Sequence, residues 1–292
     1  MKIKIAAAQY DISFLNNWQE YADKIERWVD KAAAQDCKLL LMPEYASMEL
    51  TSLFPEPVYK SLNKQLESLQ TLVDNYLALF QRLAQKHQCY IQPGTIPVRI
   101  DAGGYRNRAY LFWPSGHVDF QEKLQMTRFE SEHWLIEPGN ELRVFDTGLG
   151  KIGINICYDS EFPLFARKQA ESGAEILLVP SCTDSVAGYN RVHIGCRARA
   201  MENQCYVVQS STIGEALWSE AVDTNCGAAA IYTPVDYGFP DNGILKIGEM
   251  NKSQWVYSEI ALNKLKTVRE KGQVFNFKDW ERQNLFVNQK IN

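Results

Sequence analysis

Two short runs, apolar at every position, constrain this chain more than anything else in it. Leu39 to Met42 (LLLM) and the ILLV of AEILLVPSC are too short for globular helices and carry no polar side to offer water. Such runs form strands buried on both faces of a sheet, and each face then needs a cover. Amphipathic helices are present to supply it. Tyr21, Ile25, Trp28, Val29 and Ala32 share one helical face, and Leu62, Leu66, Leu69, Val73, Tyr76, Phe80 and Leu83 step by alternating fours and threes. That second pattern predicts one helix through about 62–83.

Other strand-like runs are CYIQPGTIPV, YRNRAYLFWP and HVDFQEKL, with turn signals at Gly103-Gly104 and Ser115-Gly116, and then KIGINIC, CYVVQSS, AAAIYTP and WVYSEIA. Helical patterns cover Phe165, Lys168 and Gln169, and residues 190–203. Helices alternating with buried strands predict a layered α/β fold. No Pro/Gly/Ser linker and no repeat interrupts the 292 residues, so a single domain over 1–292 is expected. An extension from about 269, studded with Phe275, Phe277, Trp280 and Phe286, is expected to cover its own core or a partner subunit.

The balance of 31 basic against 35 acidic residues gives no electrostatic ground for a nucleic-acid or anionic-membrane partner. Met1 runs straight into a strand-like segment without a signal-peptide pattern, and no apolar stretch approaches a membrane span. Seven scattered cysteines, with no CxxC pair, suit a reducing compartment, and a cytoplasmic protein is expected. The four histidines are dispersed as well, so neither a metal nor another cofactor is expected.

Three residues stand out at strand ends. Cys157 follows the alternating run of KIGINI where a helix is about to begin, the place of a nucleophile turn, though a buried structural cysteine is the commoner role for one taken alone. Glu44 follows LLLMP, where a carboxylate cannot sink into the core without a partner. Lys123 closes VDFQEK. Glutamate and lysine at such places are ordinary surface residues when considered singly.

Together the strings LLLMPE, FQEKLQMTRFE and INICYDSEFP, in that order, closely resemble the nitrilase superfamily, the carbon–nitrogen hydrolases. Gly94 in PGTIP, Asn107 in YRNRAYLFWPSG, Pro138-Gly139 and RARAMENQCYVVQS extend the resemblance over about residues 3–235. It implies a four-layer α-β-β-α sandwich that pairs into homodimers or larger assemblies. It also implies a thiol hydrolase of an amide or carbamoyl group in a small molecule, with nitrile hydrolysis ranked behind. In that reading Cys157 is the nucleophile, Glu44 the general base and Lys123 the oxyanion-stabilising cation, helped by the backbone N–H of Tyr158. The family's second glutamate lies six residues before a Pro-Gly, a spacing that Glu132 meets and Glu130 misses, so Glu132 is expected to hydrogen-bond Lys123.

A free thiol has a pKa of ~8.5, and a nearby ammonium is expected to favour the thiolate of Cys157. Acyl transfer by the same triad and a catalytically silent binding subunit are the alternatives. The chain departs from the family pattern at Gln125, where a histidine is usual, and at Glu161, often an arginine and here expected to pair with Arg128. Tyr45, Met48, Arg128, Trp134, Tyr158, Cys182 and Thr183 are the candidate lining residues, and Arg128 among them suggests a carboxylate-bearing substrate.

Overall fold

The computed structural model describes residues 2–286. Its first strand, β1 (Lys2–Asp11), explains the layering. Ile3, Ile5 and Ala7 join one hydrophobic cluster while Ala6, Ala8 and Tyr10 join another, because successive side chains of a strand point to opposite faces. The second run, β2 (Leu39–Met42), sorts in the same way, with Leu39 and Leu41 on one side and Leu40 and Met42 on the other.

Between these strands lies α1 (Trp18–Ala33), whose Tyr21, Ile25, Val29 and Ala32 are buried against the outer face of β1. The expected long helix over 62–83 divides. After a single turn, α2 (Glu56–Tyr59), come α3 (Leu62–Leu69) and α4 (Val73–His87), joined by a 3₁₀ turn at Gln70–Leu72. The chain tightens where the Gln70 side chain is tied to the neighbouring strand, donating to Pro97 O at 3.1 Å and accepting from Arg99 N at 2.8 Å. The apolar stripe survives the break, and Leu66, Leu69, Tyr76, Phe80 and Leu83 are all buried.

The remaining elements are β3 (Tyr90–Pro93), β4 (Ile96–Arg99), β5 (Tyr105–Phe112), β6 (Val118–Glu122), β7 (Val144–Thr147), β8 (Gly150–Ile154), α5 (Pro163–Glu171), β9 (Ile176–Ser181), α6 (Val186–Asn203), β10 (Tyr206–Glu215), β11 (Thr224–Asn225), β12 (Ala230–Tyr232), β13 (Ile244–Ile247), β14 (Gln254–Ala261), α7 (Leu262–Lys271) and α8 (Asn276–Asp279). Strands β3, β2, β1, β10, β9 and β8 are neighbours in that order, all parallel. The register of β1 against β10 is short, Gln9–Asp11 against Ser211–Ile213. Below that corner β1 pairs with β14 and β10 with β12, so the two halves splay into sheets that face each other. Helices α1, α3 and α4 cover one sheet, α5 and α6 the other, which is the expected α-β-β-α sandwich. Among the described residues no helix is long and apolar enough to cross a membrane.

Arg269 lies within α7, so the chain leaves its last sheet-linked helix slightly later than expected. The segment beyond turns back on its own chain. Phe277 accepts from Arg167 Nη1 at 3.0 Å, and the Phe277 and Trp280 rings lie 4.7 and 5.0 Å from that guanidinium.

Candidate active site

The joined corner of the sandwich gathers the carboxyl ends of parallel strands from both sheets, where α/β folds place their sites. Glu44 arrives from β2, one residue after Pro43. The chain beside it is held by Gly94, at φ +82°, where an added Cβ would lie 1.9 Å from the Pro43 carbonyl oxygen. Lys123 follows β6; its N–H donates to Asn107 O at 2.9 Å and its carbonyl accepts from Gly139 N at 2.7 Å. Gly139 packs so closely that a Cβ there would meet Glu122 Cβ at 2.7 Å. Cys157 follows β8 and opens a 3₁₀ turn over Cys157–Glu161 with φ +49°, a left-handed conformation that costs a non-glycine residue about 1–3 kcal/mol.

These three side chains meet in the interior. Glu44 and Lys123 are each 1% exposed and Cys157 5%. Lys123 Nζ donates to Glu44 Oε1 at 2.8 Å and to both oxygens of Glu130, at 2.8 and 2.7 Å. Glu44 Oε1 also accepts from Asn107 Nδ2 at 2.9 Å, and its Oε2 from Cys182 N at 3.1 Å. The Cys157 thiol adjoins Glu44 and lies 3.6 Å from Cys182 O.

The second glutamate is therefore Glu130, and the choice of Glu132 is corrected. Glu132 is exposed and pairs with Arg128, Oε1 with Nε at 2.8 Å and Oε2 with Nη2 at 3.0 Å. Both glutamates belong to one helical turn, Phe129–His133, where residues two apart point to nearly opposite sides and only one can face Lys123. A local signal for the right one is present in Thr127-Arg128-Phe129-Glu130. Glu130 N donates to Thr127 Oγ1 at 3.3 Å and Thr127 N donates to Glu130 Oε2 at 2.9 Å, a reciprocal capping box that turns the Glu130 carboxylate back toward Lys123. Tyr45 OH adds a bond to Glu130 Oε1 at 2.6 Å.

One buried ammonium thus faces two buried carboxylates, and they divide the consequences unequally. Burial pushes Glu130 up, but the Lys123 charge and the bonds from Lys123, Tyr45 and Thr127 outweigh it and hold its carboxyl below the usual range. Glu44 is pushed up to about 7 by burial, with Lys123 opposing and Glu130 adding to the rise. Burial works against the Lys123 ammonium, yet Glu130 and Glu44 keep its pKa well above the ordinary lysine value. The Cys157 thiol is pushed well above its ordinary value by burial and by Glu44, and Lys123 only partly offsets them. Lys123 acts on Cys157 in the expected direction, toward the thiolate, but burial and Glu44 outweigh it.

A cavity of about 760 Å³ opens over Cys157 and is lined by Tyr45, Arg128, Trp134, Tyr158, Cys182 and Thr183, all six of them named from sequence. Met48 is not among its walls; it is fully buried in the core, in a segment packed against α1 and α3. Several wall groups are already committed. Trp134 is 1% exposed with its ring 4.8 Å from that of Tyr45, and Thr183 Oγ1 donates to Cys226 O at 2.7 Å. Glu161 pairs with Arg191 at 3.4 Å and not with Arg128, since Arg128 is held by Glu132. Sequence reasoning passed over Arg191 and the Glu220–Asn225 stretch of the wall, which reach the cavity only through tertiary folding.

A sequence profile of the carbon–nitrogen hydrolases matches residues 4–237. The chain belongs to the carbon–nitrogen hydrolase family. Among relatives of this chain, "Probable hydrolase YhcX" of Bacillus subtilis is 35% identical over 280 residues, 96% of this chain. The chain spans only 54% of that relative's length. Human "Omega-amidase NIT2" is 26% identical over 289 residues, 94% of either chain. The crystal structure of Saccharomyces cerevisiae Nit3, a nitrilase-superfamily member, shares the fold with a TM-score of 0.75 at 24% identity, covering 92% of this chain and 93% of that one.

Proposed function

We propose that this carbon–nitrogen hydrolase cleaves an amide or carbamoyl group of a small molecule through a Cys157 thioester. The observation that carries this reading is the single buried ammonium of Lys123 held between Glu44 and Glu130 beside the Cys157 thiol. Because that thiol is protonated at rest, attack needs a base in contact with it, and a carboxyl with a pKa of about 7 is matched to neutral pH. Cys157 Sγ attacks the amide carbon as Glu44 takes the thiol proton. The oxygen of the tetrahedral intermediate takes the negative charge, which Lys123 Nζ and the Tyr158 N–H stabilise. Glu44 returns its proton to the nitrogen, the carbon–nitrogen bond breaks, and ammonia or an amine leaves. A water molecule, deprotonated by Glu44, then attacks the thioester; the carbon–sulfur bond breaks, Cys157 recovers a proton and the acid departs. Glu130 keeps Lys123 charged and fixed throughout.

The mouth of the cavity bears on the acyl group. Arg128 and Arg191 are each matched by a carboxylate, Glu132 and Glu161. Asp184, Glu220 and Asp223 also line the cavity, all exposed, so its outer part carries more negative than positive charge. That balance supports acyl groups with a neutral or cationic far end over the carboxylate-bearing substrate that Arg128 suggested in the sequence. Ammonia release from matched primary amides and carbamoyl compounds with neutral, cationic and anionic far ends tests both points, with Cys157→Ala as the blank. Turnover surviving in Cys157→Ala would end the mechanism; a preference for the anionic set would end the reading of the mouth.

A further inference from the structure

Asp159 lies two residues after Cys157, is 1% exposed, and has no part in the chemistry just described. Its carboxylate is spent on backbone amides. Oδ1 accepts from Gln125 N at 2.7 Å and Leu124 N at 3.1 Å, while Oδ2 accepts from Ile156 N at 3.1 Å and Leu124 N at 3.2 Å. Leu124 and Gln125 directly follow Lys123, and Ile156 directly precedes Cys157. Lys123 comes from the end of β6 in one sheet and Cys157 from the end of β8 in the other.

We infer that Asp159 is a positioning residue, a carboxylate clamp between the two sheets that fixes the Lys123 ammonium relative to the Cys157 sulfur. This rests on the reading of Lys123 and Cys157 as oxyanion donor and nucleophile.

A carboxylate suits the task because both of its oxygens accept, and three N–H donors converge on it. An asparagine has the same outline but only one accepting oxygen. Its NH₂ group must then face Ile156 N or the Leu124–Gln125 pair, donor against donor, and one side of the clamp opens. Burial pushes Asp159 up to about 7, opposed by Lys123 and by the three amides, so the group is held where water cannot take over these bonds. The clamp touches neither substrate nor the reacting atoms. Its effect is geometric, and a displacement of about 1 Å between reacting groups costs on the order of 10²-fold in rate.

The test compares wild type with Asp159→Asn by three readouts. Steady-state kinetics on an amide that the wild type hydrolyses should show kcat falling about 10- to 100-fold with KM within about threefold. Iodoacetamide labelling of Cys157 in the folded protein should slow several-fold, a readout that needs no substrate and so separates failure of this inference from failure of the amidase reading. In wild-type protein, hydrogen exchange at the Leu124, Gln125 and Ile156 amides should be strongly protected, and this arm stands even where the variant does not fold. A lowered Tm with kcat and labelling rate unchanged would reduce Asp159 to a structural residue. Exchange at Leu124 and Gln125 as fast as in an exposed loop would remove the clamp itself.

Discussion

Replacing Glu130 by glutamine tests the electrostatic arrangement most directly, because shape is kept while one of two charges facing Lys123 is removed. At 2.7–2.8 Å and an effective dielectric constant of about 20, the attraction of Glu130 for the ammonium is about 6 kcal/mol. Against this stands repulsion between the two carboxylates. Both contact the same Nζ, so they are at most about 5.5 Å apart, and the same constant gives about 3 kcal/mol. The difference, at most about 3 kcal/mol, is the expected ceiling on the loss of stability, comparable with the cost of breaking a buried ion pair. At about 2–4 °C per kcal/mol for a chain of this size class, the Tm should fall by up to about 6–12 °C. With Glu130 neutral, Lys123 is shared by Glu44 alone and is drawn toward it, so kcat should fall about 10²-fold, the usual cost of losing an oxyanion donor. Glu132→Gln is the control, and it should leave both Tm and kcat unchanged because that carboxylate faces water. Calorimetry and ammonia release measure the two quantities. Equal losses in the two variants, or a native-like Glu130→Gln, would refute the arrangement.

Further expectations concern the remaining members of the site. Lys123→Arg should lose more than about 10²-fold in kcat, because a flat guanidinium cannot take the place of a compact ammonium enclosed by two carboxylates; near-native turnover would make the oxyanion assignment untenable. Cys157→Ala should abolish turnover while Cys89→Ala and Cys205→Ala keep it, as measured by ammonia release, since the last two thiols are fully buried. A base works in its ionised form, so kcat/KM should rise with pH up to about 7 and level off above it; a limb centred near 4.5 would show that burial does not raise the Glu44 carboxyl. Stability should run the other way. Glu44, Glu49 and Asp159 are each raised to about 7, so the folded protein keeps three protons that the unfolded chain releases near pH 4, and Tm should fall as pH rises from about 5 to 7. His193, lowered by burial, opposes this with one proton against three, and a Tm rising across that window would contradict the burial of the carboxyls.

How the chain reads locally follows from side-chain periodicity, which depends on neighbours alone. LLLM could only be a strand covered on both faces, and β2 is one, with its four residues divided between two cores. The fourfold and threefold steps from Leu62 to Leu83 identified a buried helical stripe, though not the 3₁₀ turn within it, which coincides with Gln70 bonding to a strand some thirty residues later. Glu44, Lys123 and Cys157 were legible because a polar or reactive side chain directly after an apolar run must lie at a strand's end, and the ordered strings around them resembled one family. Glu130 was within reach too, through the Thr127 capping box, but a count of residues back from Pro138 overrode it.

What only the tertiary structure decided is how the two sheets meet. Lys123 and Cys157 reach the same point because β1 and β10 pair over three residues and then diverge, and no local pattern encodes that corner. Asp159 on the amides beside Lys123 and Cys182 N on Glu44 are contacts across it. The sequence accordingly singled out Glu44, Lys123 and Cys157, the three side chains that meet at one point. The raised pKa values of Cys157 and Glu44 came from burial at that corner, and burial depends on the whole fold.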